Sequence, residues 1–212
     1  MTNVDVGPTR TGAAPTWVPG AGLACLVAGV LGALSGIALA VWPGQVSEDM
    51  YSYPLTAAGF AAAQAWFFVQ HLGLLAGIAA LGVAGVMAPG ALSRWGVGLA
   101  GLGMAGLAVT ELLAITARHS SYPGEGTGAL DTAYGVTTIV TGVGLVLAGL
   151  AVRRGGVWDG WRRVVVLAAG VWVFVPMIPA IMGPFVLARL SITAWMVLFA
   201  ALGHVLWKDT RG

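Results

Sequence analysis

The chain has 212 residues, 58% of them hydrophobic and 8% charged, with a formal net charge of +2. So few charges cannot cover a soluble domain, which leaves an integral membrane protein. The small basic excess sits in short clusters between apolar segments and makes no case for nucleic acid. A single cysteine, Cys25, excludes an intrachain disulfide and any zinc or iron–sulfur site built from this chain's cysteines alone.

Residues 1–18, with Pro, Thr and Gly, read as a disordered cytoplasmic tail ahead of one membrane domain over 19–208. Six apolar segments reach the roughly 20 residues that a helix needs to cross the hydrocarbon. They fall near 21–42, 64–87, 95–117, 130–152, 163–184 and 188–207. Each is continuously apolar rather than alternating, so the expected fold is all-α, a six-helix transmembrane bundle, and not a β-barrel.

The first segment lies between Pro19 and Pro43. Its "ALA" at 38–40 resembles a signal-peptidase site, but the apolar run before it is long for a signal sequence. The following loop, "SEDMYSYP", carries Glu48, Asp49, Tyr51 and Tyr53. In the second segment Gln64, Phe68 and His71 share a helical face. The third holds Gly98, Gly101, Gly103 and Gly106, suited to close helix packing, and then Glu111. Met104, Glu111 and Arg118 repeat at steps of seven. Asp131, Tyr134, Thr138 and Thr141, with Thr137 beside them, form a polar stripe down the fourth segment, and Asp131 also suits a helix N-cap. In the fifth, Pro176 and Pro179 remove two backbone donors, so that helix should kink or open. Trp17, Trp42, Trp158, Trp161 and Trp207 fall near segment ends and read as an interfacial belt, whereas Trp172 and Trp195 lie deeper.

Basic residues set the expected orientation. With the N-terminus cytoplasmic, Arg10, Arg94, Arg153, Arg154, Arg162, Arg163, Lys208 and Arg211 are inside, and only Arg118 and Arg189 are outside. The expectation is a multi-pass protein of the bacterial plasma membrane, N-in and C-in. That orientation gathers His71, Glu111, Asp131 and the "SEDMYSYP" loop into the outer half. Pro176 and Pro179 belong on the wall of the same region.

Glu111 is the focus, because a carboxylate inside a membrane segment is costly and calls for a reason. Glu111, His71 and Asp131 are the candidate acid–base groups; Gln64, Phe67, Phe68, Tyr134, Thr138, Trp172 and Trp195 are the candidate lining. Each has a plain alternative. Glu111 can pair with Arg118 or His71 to fix packing, and the threonines can bond their own helix carbonyls. No metal site and no cofactor is expected. Haem would need a second axial ligand at the depth of His71, and His119 and His204 are both misplaced for it. No phosphate-binding glycine motif is present.

An acid facing aromatic walls suits protonation of an alkene, with π-faces stabilising the cations that follow. In size, in its six compact spans and in the "TELLA" acid at 110–114, the chain resembles small actinobacterial-type membrane proteins, among them membrane-integral terpene cyclases. That resemblance is one of layout and implies a membrane enzyme acting on an isoprenoid-like substrate; it assigns no residue. Two other classes stay open: a proton-coupled or small-solute transporter, and a non-catalytic accessory subunit. The expected partners are membrane lipid and a hydrophobic small molecule, without nucleic acid; the oligomeric state is not encoded in any pattern above.

Overall fold

The computed structural model describes residues 14–209. It has six helices long and apolar enough to cross a membrane: α1 (Val18–Val41), α2 (Ala57–Val83), α3 (Ala91–Ala117), α4 (Thr127–Gly155), α5 (Arg162–Ile181) and α6 (Phe185–Asp209). Among the described residues there is no β-strand, only an isolated bridge between Met50 and Ser121. The protein is an all-α, multi-pass membrane bundle.

The boundaries correct the sequence reading at several ends. α2 begins at Ala57, not near 64. Thr56 caps it by accepting from the Gly59 N–H at 3.2 Å, and an alanine-rich first two turns follow. At 27 residues it is roughly 40 Å long, more than the hydrocarbon requires. α4 begins at Thr127 after Gly126, whose φ of 85° is the left-handed conformation that glycine adopts without strain. Asp131 is therefore in the second turn and is not an N-cap. Of the expected tail, residues 1–13 lie outside the described residues. Ala14–Val18 are ordered into the bundle: Val18 donates to the Pro15 carbonyl and is fully buried.

Each helix packs on its chain neighbours, and α6 closes the ring against α1. The tightest pairs, α1–α6 and α3–α4, are made by small residues. A Cβ on Gly29 would stand 2.5 Å from the Ala200 backbone nitrogen, and one on Gly103 would stand 2.5 Å from that of Thr141. Only hydrogen fits there, and the helices gain the dispersion contact that replaces hydrophobic driving force within lipid. The apolar residues left outside, such as Leu34, Leu102, Val136 and Val175, form the face that lipid would cover.

The expected opening of α5 is a π-helical segment, Val173–Met177, with Pro176 inside it. A wide turn of this kind accommodates a residue that cannot donate to the helical ladder. Gly142 of α4 leaves room for Val173 and Phe174 there. Trp158 is 4% exposed and belongs to the core rather than the belt, whereas Trp17, Trp42 and Trp161 stand about half exposed.

Candidate functional site

One end of the bundle carries the 42–56 and 118–126 connections and is called here the loop end. The other carries Arg94, Arg153, Arg154, Arg162, Arg163 and Lys208 and is the arginine end. Glu111 lies six residues before the loop end of α3, while Gln64 and Tyr134 lie seven residues into α2 and α4. At 1.5 Å per residue all three are roughly two turns deep, so three helices deliver polar side chains to one level.

They are joined. The Tyr134 hydroxyl donates to Glu111 Oε2 at 2.7 Å and accepts from the Gln64 amide at 2.9 Å. His71, two turns deeper on α2, brings Nδ1 to 3.8 Å from Glu111 Oε1. That ring nitrogen also lies 2.7 Å from the Phe67 carbonyl, which can only accept, so Nδ1 carries the hydrogen and the His71–Glu111 contact is electrostatic. Nε2 makes no hydrogen bond among the described residues. Glu111, His71 and Gln64 are each more than nine-tenths buried.

Two connections cover this cluster. Tyr51 N–H donates to the Ser120 carbonyl and Tyr122 N–H to that of Asp49, pinning the 42–56 loop to the 118–126 loop. The Tyr51 ring packs edge-on against Phe60 at 5.9 Å and lies 5.8 Å from Tyr122. Burial raises the Tyr51 phenol well above the ordinary tyrosine range, helped by the charges of Asp131 and Glu111. The charge of Asp131 is the main cause raising Tyr122, with burial second. Asp131 itself is exposed; its neighbours are these tyrosines, not the buried carboxylate's hydrogen-bonding partners.

The remaining candidates are placed as follows. Phe67 and Phe68 are half-buried beside His71, and Phe67 takes part through its backbone. Thr138 is half-buried, while Thr137 and Thr141 donate to carbonyls of their own helix and fill the space over Gly106 and Gly103. At Thr137 and Thr141 the stripe is thus a packing surface against α3. The indole of Trp172 donates to Ser191 and that of Trp195 to Ala169, both backbone carbonyls, which ties α5 to α6. Trp195 is a core residue packed on Phe199 at 5.0 Å. Arg118 bonds the Ile115 carbonyl and forms no ion pair with Glu111. A surface recess of about 330 Å³ between the loop ends of α3 and α4, lined by residues including Leu113, Glu125 and Ala133, does not reach Glu111.

Three residues were not singled out from the sequence. Tyr51 was noted only as a loop residue, yet it roofs the cluster. Gln70, next to His71, is buried with its amide on Met196 Sδ at 3.0 Å and its carbonyl oxygen without a partner; a second polar residue in "FFVQHLG" was the available signal. Arg189, counted only for orientation, lies in the second turn of α6 with its guanidinium 4.9 Å from the Phe185 ring centre and within electrostatic reach of Glu111 and Tyr134. Among the described residues no group of three or more His, Cys, Asp or Glu is placed to hold a metal ion.

Comparison of the chain with protein-family models, with curated proteins and with solved structures returns no match.

Proposed function

We propose that the protein is a membrane-embedded enzyme that moves a proton between Glu111 and a hydrophobic, isoprenoid-like substrate, with the loop end outside the bacterial plasma membrane. The observation that carries this reading is the asymmetric wiring of one buried carboxylate. Tyr134, oriented by Gln64, holds Oε2 at 2.7 Å, so Oε1 is the oxygen left to give or take a proton. His71, whose Nε2 is unengaged, is the second group able to relay it.

In the form suggested by the layout resemblance, Glu111 protonates an alkene carbon of the substrate and a carbocation forms. Ring closure consumes a second alkene, and loss of a proton to a basic group ends the sequence. The net change is isomerisation, with no oxidant or reductant required. Tyr134 touches this acid directly, Tyr51 and Phe60 pack together at the loop end, and Phe67 and Phe68 lie on α2 between Gln64 and His71; aromatic faces of this kind suit the cationic intermediates.

Transport is the weaker reading. Toward the arginine end, α3 and α4 are in backbone contact through Gly96 and Gly144, and α1 and α6 through Gly22 and Gly203. A conduction path needs polar or open lining at both depths, and these contacts leave little room for one. A purely accessory role gives no reason for four polar side chains to converge.

The test is Glu111→Gln, which keeps shape and hydrogen bonding but removes the titratable proton. Membranes of a bacterial host expressing wild type or the variant are extracted, and their isoprenoid lipids are compared by mass and retention time. The expected result is an isomeric product in wild type that falls by about two to four decades in the variant while its melting temperature holds. Equal product from the amide variant would remove Glu111 from the chemistry.

A further inference from the structure

Among the described residues Arg189 has a charge with no hydrogen-bonded or ion-paired partner. It is half-buried on a membrane-spanning helix, where an uncompensated cation is expensive and normally finds a carboxylate, carbonyl or water-filled space. Among the described residues its five N–H donors make no hydrogen bond and no ion pair; the guanidinium carbon lies over the Phe185 ring, 4.9 Å from its centre. Neither the His71–Glu111 contact nor the Arg162–Asp209 ion pair of the described residues includes it. The ring contact leaves its N–H donors unused, and Phe185 itself packs edge-on against the Tyr53 ring at 5.4 Å.

Its position is informative. Arg189, Glu111 and Tyr134 are within electrostatic reach of one another, yet no contact close enough for an ion pair joins Arg189 to Glu111. The carboxylate's near neighbours are instead Tyr134 on one oxygen and His71 on the other. Among the described residues the loop end thus has a cation with unused donors on α6 and an acid on α3 whose Oε1 makes no hydrogen bond, with no ion pair joining the two. On the other side, Gly36 of α1 brings that helix close to the Arg189 carbonyl and Thr193, so this flank is closed by packing.

We infer that Arg189 is the head-group anchor of this site, binding the oxyanion (phosphate or carboxylate) of an amphiphile whose apolar chain lies toward Glu111. A guanidinium presents a planar fork matched to such an oxyanion, and its place near the end of a spanning helix is the depth of a head group rather than of a hydrocarbon tail. This names the substrate class for the proposed enzyme and rests on that reading for the role of Glu111, though not for binding itself. The same oxyanion chemistry is offered by a bilayer phospholipid, so the two sources must be told apart.

The experiment uses the full chain in a neutral maltoside detergent and follows thermal stabilisation on titration with n-decyl phosphate, n-decanol and inorganic phosphate. Wild type is expected to be stabilised saturably by n-decyl phosphate and not by n-decanol. Inorganic phosphate should bind more weakly, having no chain. Arg189→Gln should weaken n-decyl phosphate by about 10- to 100-fold, the value of a charge-assisted hydrogen bond. Arg189→Lys keeps the charge without the fork and should fall between; it also serves if the Gln variant does not fold. Glu111→Gln should bind about as tightly as wild type, since the oxyanion is held by Arg189 and the amide keeps the shape and hydrogen bonding of the acid. Repeating the titration in phosphatidylglycerol and phosphatidylcholine nanodiscs separates the sources. A distinct ligand stabilises in both, whereas n-decyl phosphate that adds nothing in phosphatidylglycerol makes Arg189 a lipid contact and overturns the substrate assignment. Equal responses of wild type and both Arg189 variants, or of n-decanol and n-decyl phosphate, would overturn the anchor altogether. Retained product formation in Glu111→Gln beside lost binding in Arg189→Gln would remove the acid–base reading and leave the anchor standing.

Discussion

Replacing Tyr134 with Phe removes a single oxygen that serves two interhelical hydrogen bonds, one given to Glu111 at 2.7 Å and one taken from Gln64 at 2.9 Å. In water-soluble proteins a bond to a charged partner contributes about 1.5–3 kcal/mol. Between helices in a bilayer the measured mean is nearer 0.6 kcal/mol, with a maximum near 1.7, because the separated helices also find partners. Two bonds at the lower figure, with two buried groups left short of a partner, give about 1–2 kcal/mol for Tyr134→Phe. Unfolding in mixed maltoside and dodecyl sulfate micelles measures it. The cycle with Glu111→Gln should show a coupling of about 0.5–1.5 kcal/mol, as residues in one hydrogen-bond network do. A Tyr134→Phe variant within about 0.3 kcal/mol of wild type, or strict additivity of the two changes, would refute the claim that this triad organises the site.

Gly29→Val should cost at least about 1–3 kcal/mol, since its Cβ would meet Ala200 backbone that cannot move aside, whereas Gly98→Ala, with nothing within 4 Å, should be neutral or stabilising by up to about 1 kcal/mol; the same unfolding assay compares them, and equal effects would contradict the packing account. Tyrosinate absorbance should appear at lower pH in Asp131→Asn than in wild type, because the charge that holds Tyr122 up is gone. Folded-state values raised above the ordinary tyrosine value near 10 mean that stability is intact below that pH and is lost as pH rises through the raised values; a wild-type alkaline limb that Asp131→Asn leaves unmoved would argue against the assignment. Reporter fusions after Ala88 and after Gly156 should read cytoplasmic, and one after Gly124 external; a cytoplasmic reading at Gly124 would reverse the orientation.

The six spans were legible because the bilayer asks for one thing, about 20 apolar residues, and the chain supplies it six times. Their ends were less so. α2 begins seven residues before the expected start because Thr56 caps it and alanines propagate it, signals of helix formation that a hydropathy reading does not weigh. Spacing and depth brought His71 and Glu111 together and put Tyr134 on the same stripe, but they counted Asp131 in the group and did not anticipate that Gln64, seven residues inside α2, would bond Tyr134. What spacing does not encode is which neighbour satisfies a polar atom. The sequence left Trp172 and Trp195 as core or pocket aromatics, and it could not show that their N–H groups lie on the Ser191 and Ala169 carbonyls. Arg189 looked like a topology marker because its nearness to Glu111 depends on α6 closing the ring, a contact between the chain's last helix and its earlier ones.

The α3–α4 pair explains why the polar site lies at one end. From the arginine end outward, successive contacts along this pair are Gly96 on Ala148, Gly103 on Thr141, Gly106 on Thr137, and then Glu111 on Tyr134. Glycine contacts bring the backbones as near as they can come, and no carboxylate or phenol fits between helices so close. As side-chain volume grows along the series the helices must separate, and the first level able to hold a glutamate and a tyrosine side by side is also the first at which their polar atoms need partners. Gln64 and His71 of α2 supply them from the adjacent helix. Tight packing below and a hydrogen-bonded cluster above are therefore two consequences of one gradient in residue size. The glycines that seem remote from Glu111 belong to the same helix pair that places it beside Tyr134.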